Sequence, residues 1–295
     1  MIEALMLWNE PNNVSHWDRD LDPDWSIYAR MARRAAHAIR DVSPRTRIVL
    51  GGISPIHPAF LHRMDRFGVL DSLDVLAVHG FPYDWNLWHP EEWPRKLTAI
   101  RQTFRMPVWV TETGASSWGS EANMAWATRR LTRILKGATE RVHWYTLFDL
   151  SPDRQATTRH GPAEGSGYWR HFHFGLFRAD GSPKPALEHF DSSMGICQWL
   201  HFRDHERLDA TVRQLRRLGV RYVRTGLSWA EWNRPGGVEW FDRIVESLDP
   251  FATTLTLCFT PDDAGIRPDH TSPPRDIDDF AAFARWVADR YTARG

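Results

Sequence analysis

The sequence predicts an α/β fold built on parallel strands, and three observations indicate it. Short apolar runs rich in Val, Ile and Leu alternate with longer segments whose apolar residues recur at helical spacing, which is typical of parallel strands joined by helices. The 295 residues are somewhat more than the about 250 residues of a typical (β/α)8 barrel. Hydrophobic residues make up 42% and charged residues 25% of the chain, as is ordinary for a globular protein.

The first two thirds of the chain contain five predicted strands. An apolar run ends at Leu7, and a helical pattern that starts at Asp24 ends at Val42, shortly before Pro44, as helices tend to do. The segment 153–175 is rich in Gly, His and aromatic residues and has no period, so we expect a long loop, and such loops are often functional. The other predicted strands are 47–52, 75–79, 108–111 and 142–147, and the other helices are 60–70, 91–104 and 121–135.

The last third repeats the alternation. A short bridge over 191–194 leads into a predicted strand at 195–200 and a helix at 204–218. Further strands are predicted at 220–224 and 254–261, and a final helix over 272–291.

Composition argues against several classes of partner. Acidic and basic residues are equal in number, 37 each, which argues against a nucleic-acid or membrane surface built on bulk charge. Cys197 and Cys258 each lie in a predicted strand, so buried thiols are expected and a disulfide framework is not. No apolar run reaches the ~20 residues of a membrane span. The first residues lack the features of a secretory signal, so we expect a cytoplasmic protein.

Two short motifs place a carboxylate just after an apolar, strand-like run. They are Trp8-Asn9-Glu10-Pro11-Asn12 and Val110-Thr111-Glu112-Thr113-Gly114. Because the C-terminal ends of parallel strands in a barrel meet at one face, residues this far apart in sequence can share a pocket. Two such carboxylates can divide the work of glycoside hydrolysis. The structural alternative for Glu10 is a turn or a helix start, and the second motif alone is weak.

The surrounding residues carry a family resemblance. LMLWNEPN (5–12) and PVWVTETGAS (107–116) resemble the fourth and seventh strand ends of the clan A glycoside hydrolases, and family 39-type β-xylosidases and related exopolysaccharide glycosidases are the nearest match. The resemblance implies a (β/α)8 barrel in which Glu10 is the acid/base and Glu112 the nucleophile. It implies no metal and no organic cofactor.

The order of the motifs differs from the family pattern. A barrel of this clan has three βα units before its fourth strand, whereas only Met1 to Leu7 precede the first motif here. The predicted elements of 195–295 supply those three units. We therefore expect a single, circularly permuted barrel, with the family's strands four to eight in 1–194 and its strands one to three in 195–295. Gly295 should then lie near Met1, since close termini make permutation tolerable.

The resemblance also implies roles for residues outside the two motifs. Asn9 matches a residue that binds the sugar 2-hydroxyl, and Arg224 matches the arginine that contacts the nucleophile. Trp144 matches a position that forms the floor of the sugar site, and His79 lies where the clan often has a polar residue. A surface salt bridge is the structural alternative for Arg224, and a core or loop histidine is the alternative for His79.

Tryptophan is abundant, with 16 residues in the chain. Sugar rings present apolar faces that stack on indole, and the indole N–H is a polar handle. Most tryptophans nevertheless pack in cores, so only a few should touch a substrate. Those in or near loops on the expected catalytic side are Trp17, Trp85, Trp88, Trp118, Trp169 and Trp229.

These observations together predict a β-glycoside hydrolase that retains anomeric configuration by double displacement. The expected partner is a carbohydrate, with neither nucleic acid nor membrane. Two alternatives stay open at this point, a carbohydrate-binding barrel without hydrolytic activity and a transglycosylase that uses the same covalent intermediate. The sequence leaves the sugar, the linkage and the choice between exo and endo action open.

Overall fold

Eight parallel strands form one sheet in the computed structural model, which describes residues 2–292. The expected proximity of Gly295 to Met1 lies outside the described residues. Within them, each predicted strand has a counterpart, shifted by a few residues at its ends. The strands are β1 (Ile2–Leu7), β2 (Arg47–Leu50), β3 (Leu76–Gly80), β4 (Val108–Thr113), β5 (Val142–Tyr145), β6 (Gly195–Cys197), β7 (Tyr222–Ser228) and β8 (Ala252–Cys258).

The strands follow chain order around the sheet. Each strand from β3 to β8 pairs with the next, β8 pairs with β1, and β1 pairs with β2. Two isolated parallel bridges, Val49 with Val75 and Ile53 with Val78, connect β2 to the β3 side and complete the circle. The predicted (β/α)8 barrel is confirmed. The strands between 195 and 258 belong to the same sheet as those between 2 and 145.

Helices surround the strands, with one exception. Between β5 and β6 the chain forms only short helical turns, so the 153–175 segment is largely the irregular stretch that its composition predicts. Helix α8 has no counterpart among the predicted elements. The helices are α1 (Ser26–Val42), α2 (Pro58–Arg66), α3 (Trp93–Phe104), α4 (Glu121–Leu135), α5 (Ser166–Trp169), α6 (His205–Leu218), α7 (Trp229–Trp232), α8 (Gly237–Leu248) and α9 (Ile277–Tyr291).

Two apolar layers hold the barrel together. Residues that alternate along the strands form a small cluster inside the barrel, which includes Ala4, Met6 and Trp109. Their strand neighbours, such as Leu5 and Leu7, face the helices in a much larger cluster. Both cysteines are buried and free, as expected. Over residues 2–292, the helices are all too short or too polar to cross a membrane.

A buried ion pair fixes the long segment after β5. Lys184 Nζ donates to Asp149 Oδ1 at 2.6 Å, to Ser117 Oγ at 2.9 Å and to the His173 carbonyl at 3.2 Å. Asp149 Oδ1 also accepts the Gly175 backbone N–H at 2.8 Å. The Lys184 side chain is 1% exposed. Because these partners come from the ends of β4 and β5 and from the loop itself, the pair joins the loop to the barrel.

Replacing Lys184 by Met should therefore destabilise the protein strongly. Removing one partner of a buried pair leaves the other charge uncompensated, so we expect the free energy of unfolding to fall by roughly 3–5 kcal/mol. Lys136→Met is the matched control, because Lys136 pairs with Asp191 but is 68% exposed, and we expect a loss below ~1 kcal/mol. Urea denaturation measures both. Equal losses in the two variants would contradict the role given to Lys184.

Candidate active site

Glu10 and Glu112 meet at the C-terminal ends of the strands. Glu10 lies just beyond β1, and Glu112 lies near the end of β4. Both are buried, with 6% and 8% of their surface exposed. A carboxylate oxygen of Glu10 and one of Glu112 lie within 4.8 Å of each other. The two predicted carboxylates therefore share one pocket, as the geometry of parallel strands requires.

The backbone before Glu10 adopts a conformation that is uncommon outside glycine. Trp8 and Glu10 have φ values of 73° and 45°, a left-handed region that costs a non-glycine residue about 1–3 kcal/mol. Trp8 is held by its indole, which donates to the His16 carbonyl at 2.8 Å and packs edge-on against Trp17. Such backbone strain clusters at functional sites, and here it turns the Glu10 side chain into the mouth of the barrel.

Three uncharged groups surround the Glu10 carboxyl. Asn13 Nδ2 donates to Oε2 at 2.7 Å, His16 Nε2 lies 3.4 Å from Oε2, and His79 Nδ1 lies 2.8 Å from Oε1. Burial raises the pKa of Glu10, although His16, the hydrogen bonds of Asn13 and Ser54, and the more distant Arg224 oppose the shift. Burial also lowers the pKa of His16 to about 4, so this imidazole is neutral at pH 7. Glu10 is thus a carboxyl group that holds its proton more readily than usual.

Glu112 has a different partner, the guanidinium of Arg224. Arg224 Nη1 donates to Glu112 Oε1, and Nη2 donates to Asn9 Oδ1 at 2.6 Å. Arg224 also donates from Nε to Thr256 Oγ1 at 3.0 Å and from Nη1 to Cys197 Sγ at 3.1 Å. The side chain is 4% exposed, so Arg224 is not a surface salt-bridge partner. It joins β4, β6, β8 and the turn after β1.

His79 lies between the two carboxylates. Its Nδ1 is 2.8 Å from Glu10 Oε1 and 3.6 Å from Glu112 Oε2, and its Nε2 is 3.0 Å from Thr111 Oγ1. Burial lowers the pKa of His79 to about 3, so the ring is neutral. A tautomer with Nδ1–H facing the carboxylates and Nε2 accepting the Thr111 hydroxyl satisfies every contact. A β-carbon at position 52 would lie 2.0 Å from Nε2, so this ring position requires Gly52.

Trp144 lies elsewhere than the sequence predicts. It is fully buried in the apolar cluster between strands and helices, so it does not form a floor beneath the carboxylates. Its neighbour Tyr145 projects from the opposite face of β5, where burial and the nearby charge of Glu112 raise the pKa of its phenol. The resemblance assigned the pocket-facing aromatic residue of β5 to Trp144 rather than to Tyr145. Adjacent residues of a strand project from opposite faces of the sheet, so an error of one position exchanges the pocket face for the helix face.

Sequence reasoning missed four residues of this pocket: Asn13, His16, Thr111 and Tyr145. Asn13 and His16 follow Glu10 by three and six residues in a compact turn, in which the Asn13 and His16 backbone amides donate to the Glu10 and Asn13 carbonyls. Polar residues clustered directly after the first motif were the signal that could have found them. Thr111 and Tyr145 could be assigned only once the faces of β4 and β5 were known.

The pocket also contains a set of potential metal ligands. Glu10, His79 and Glu112 each offer one ligand atom, and these three atoms lie within 4.8 Å of one another. However, Glu112 Oε1 already accepts a hydrogen bond from Arg224, and the guanidinium charge would repel a cation at this distance. The arrangement therefore fits two carboxylates in different surroundings, one paired with Arg224 and one not, better than it fits a metal centre.

Comparisons with known proteins give resemblances in structure only. No protein-family model matches the chain, and no curated protein matches it. A GH128 (subgroup I) endo-β-1,3-glucanase from Amycolatopsis mediterranei is 16% identical at a TM-score of 0.38, covering 62% of this chain and 69% of its own. An endo-1,4-β-D-mannanase from Thermotoga petrophila RKU-1 is 10% identical at a TM-score of 0.42, covering 97% and 98%.

A third solved structure is matched over a smaller part of its length. An FMN-binding β-glucuronidase from Facaelibacterium prausnitzii L2-6 is 13% identical at a TM-score of 0.41, over 54% of this chain and 25% of its own. This chain therefore spans about a quarter of that protein. The activities in these names belong to those proteins.

The buried position of His79 predicts how it titrates. Because burial lowers the pKa of His79 to about 3, its ring should stay neutral from pH 7.5 to about pH 4.5. Below pH 6.5, the ordinary pKa, the unfolded chain binds a proton here that the folded protein does not, so this residue lowers stability as the pH falls. Nitrogen NMR of labelled histidine, assigned with His79→Gln, measures the protonation. A His79 signal that titrates near pH 6.5 would contradict the assignment.

Proposed function

We propose that the protein is a β-glycoside hydrolase that retains configuration by double displacement. The observation that supports it is the pair of buried carboxylates, Glu10 and Glu112, with oxygens within 4.8 Å of each other. Retaining enzymes hold their carboxyl groups about 5–5.5 Å apart, whereas inverting enzymes leave about 6.5–9.5 Å for a water molecule. The short separation favours direct attack by one carboxylate.

The different surroundings of the two carboxylates assign the roles. Arg224 stabilises negative charge on Glu112, which suits a nucleophile, whereas burial raises the pKa of Glu10, which suits a proton donor. Glu112 attacks the anomeric carbon while the bond to the leaving oxygen breaks, and Glu10 protonates that oxygen. Glu10 then accepts a proton from water, and the water oxygen displaces Glu112 from the anomeric carbon. The sugar is released with its configuration retained.

Asn9 and His79 orient the reacting groups. Because Asn9 Oδ1 accepts the Arg224 hydrogen bond, the Asn9 amide directs its N–H2 group away from Arg224, where it can bind the sugar 2-hydroxyl. The neutral His79 ring donates from Nδ1 to Glu10 once the carboxyl loses its proton. Asn13 donates to the other oxygen. Tyr145, rather than Trp144, supplies an aromatic residue on the carboxylate side of β5.

The proposal also includes a circular permutation, which the order of the motifs along the chain supports. The chain is a single barrel of the clan A type, related to family 39, that begins at the family's fourth strand and ends after its third. Arg224 on β7, which reaches Glu112 on β4, matches the family's second-strand arginine only under that order. A non-hydrolytic sugar-binding barrel is disfavoured because a binder needs no pair of opposed carboxylates. A transglycosylase would use the same two residues.

Substitution of the two glutamates should separate their roles. Glu112→Gln should abolish turnover of every glycoside. Glu10→Gln should lower turnover of substrates with poor leaving groups by on the order of 10²–10⁴-fold, but should spare formation of the intermediate from dinitrophenyl glycosides, and azide should restore release. Glu246→Gln, on the exposed side of α8, is the control and should keep wild-type rates. Equal loss on good and poor leaving groups in Glu10→Gln would contradict its role as the acid.

The stereochemistry of the first product tests the proposed function itself. Proton NMR during hydrolysis of an aryl β-glycoside should show the β-anomer first, with the α-anomer arising later by mutarotation, because two inversions restore the configuration. The α-anomer appearing first would reject double displacement. A panel of aryl β-glycosides identifies the sugar to use.

A further inference from the structure

Exposed tryptophans of this protein lie in one region. Of the 16 tryptophans, three are exposed: Trp85 at 36%, Trp118 at 45% and Trp126 at 54%. They follow the neighbouring strands β3 and β4, on the loops after them and in the first turns of α4. Trp17 and Trp229, which the sequence also placed near the catalytic side, are buried. Large aromatic surfaces left in water beside a pocket mark binding sites.

Two of the three exposed tryptophans belong to a group of packed aromatic side chains that includes Tyr145 of the carboxylate pocket, linked to it through the buried ring of Phe81. Tyr145 packs against Phe81 with ring centroids 5.9 Å apart, and Phe81 packs against Trp85 at 5.3 Å. Trp85 is stacked on His171 at 4.7 Å with an interplanar angle of 24°. Trp118 lies nearly parallel to Trp169 and packs against His173. We call Trp85, His171, Trp118, Trp169 and His173 the aromatic rim.

Polar contacts under the rim hold its three loops in place. The Asp84 carboxylate, 3% exposed, accepts the Ser116 backbone N–H at 3.2 Å and an Arg170 N–H at 3.1 Å. Ser116 Oγ donates to the Arg170 carbonyl at 2.9 Å. Arg170 lies between Trp169 and His171 in sequence. The loops after β3, β4 and β5 are thus connected, so the rim is ordered before any ligand binds and a ligand loses less entropy on binding.

We infer that the aromatic rim binds sugar residues of a β-glycan chain beyond the linkage that is cleaved. The inference rests on the proposed function and extends it, because it makes a polymer or long oligosaccharide the substrate. Pyranose rings in β-linked chains present C–H faces that stack on indole, and the indole N–H and imidazole groups supply hydrogen bonds. Phe81 and Phe174 each contact both Trp85 and Tyr145, so the rim lies on the same side of the barrel as the carboxylates, and a chain bound at the carboxylates can extend over it.

Trp126 provides a matched control for the rim. It is the most exposed of the three tryptophans, but it lies on α4, with the Arg130 guanidinium 5.2 Å above its ring and Tyr83 against its edge at 5.4 Å. Trp126→Ala removes the same side chain from the protein surface without touching the rim. Any change in activity or binding in Trp126→Ala therefore reports only the general effect of removing an exposed tryptophan.

The experiment compares Trp118→Ala, Trp126→Ala and the wild-type protein on soluble laminarin, β-mannan and β-xylan and on the matching aryl monoglycosides. The readout is the ratio of kcat/KM for polymer to kcat/KM for monoglycoside. If loss of the stacking contact costs about as much as loss of an aromatic packing contact, Trp118→Ala should lower the ratio by roughly 2- to 13-fold through KM. Trp126→Ala should leave the ratio unchanged. The same proteins are run by affinity electrophoresis in gels that contain each polymer.

The outcomes separate this inference from the proposed function. One polymer should retard the wild-type protein and Trp126→Ala in the gel but not Trp118→Ala. That result supports sugar binding at the rim even when no glycoside is hydrolysed. In that case only the hydrolase proposal fails. Hydrolysis of monoglycosides with a ratio that is equal in all three proteins overturns the rim and leaves the hydrolase intact. Equal losses in both variants also overturn it.

Discussion

The buried contact between Arg224 and Glu112 is the interaction on which the proposed site depends. A carboxylate taken out of water is costly unless it is paired and hydrogen-bonded, and Arg224 supplies both to Glu112. The same guanidinium contacts β6, β8 and Asn9. One side chain therefore fixes the position of the proposed nucleophile, the orientation of a proposed sugar-binding amide and the spacing of several strand ends.

Glu10 is held by a different kind of constraint. Its position depends on a strained turn, in which Trp8 and Glu10 have positive φ values, and on three uncharged neighbours, Asn13, His16 and His79. Burial without a neighbouring cation at hydrogen-bond distance raises the pKa of Glu10, whereas Glu112 has a cation in contact. The barrel thus places two chemically identical side chains in unlike surroundings, which double displacement requires. The neutral ring of His79 lies between the Glu10 and Glu112 carboxylates and keeps them apart.

Much of the fold was predictable because strand and helix periodicities differ so clearly. The bounds of α4 were predicted to the residue, and Glu10 and Glu112 meet as their strand-end positions indicated. Arg224 contacts Glu112 as predicted, but it lies inside β7 rather than at the end of its strand. The failures have physical causes. Trp144 and Tyr145 are adjacent aromatics, and only the observed register decides which one faces the pocket. Helix α8 was missed although Trp240, Phe241, Ile244 and Leu248 are buried along one face.

A covalent intermediate on Glu112 is the central claim, and trapping it is the most direct test. An activated 2-deoxy-2-fluoro-β-glycoside slows both steps, and its good leaving group lets the intermediate accumulate. Mass spectrometry of the intact protein should show a stoichiometric mass increase of one fluorosugar, and peptide analysis should place it on Glu112. An adduct on Glu10 or on any other residue, or steady turnover of the natural linkage by a Glu112→Gln variant, would contradict the account.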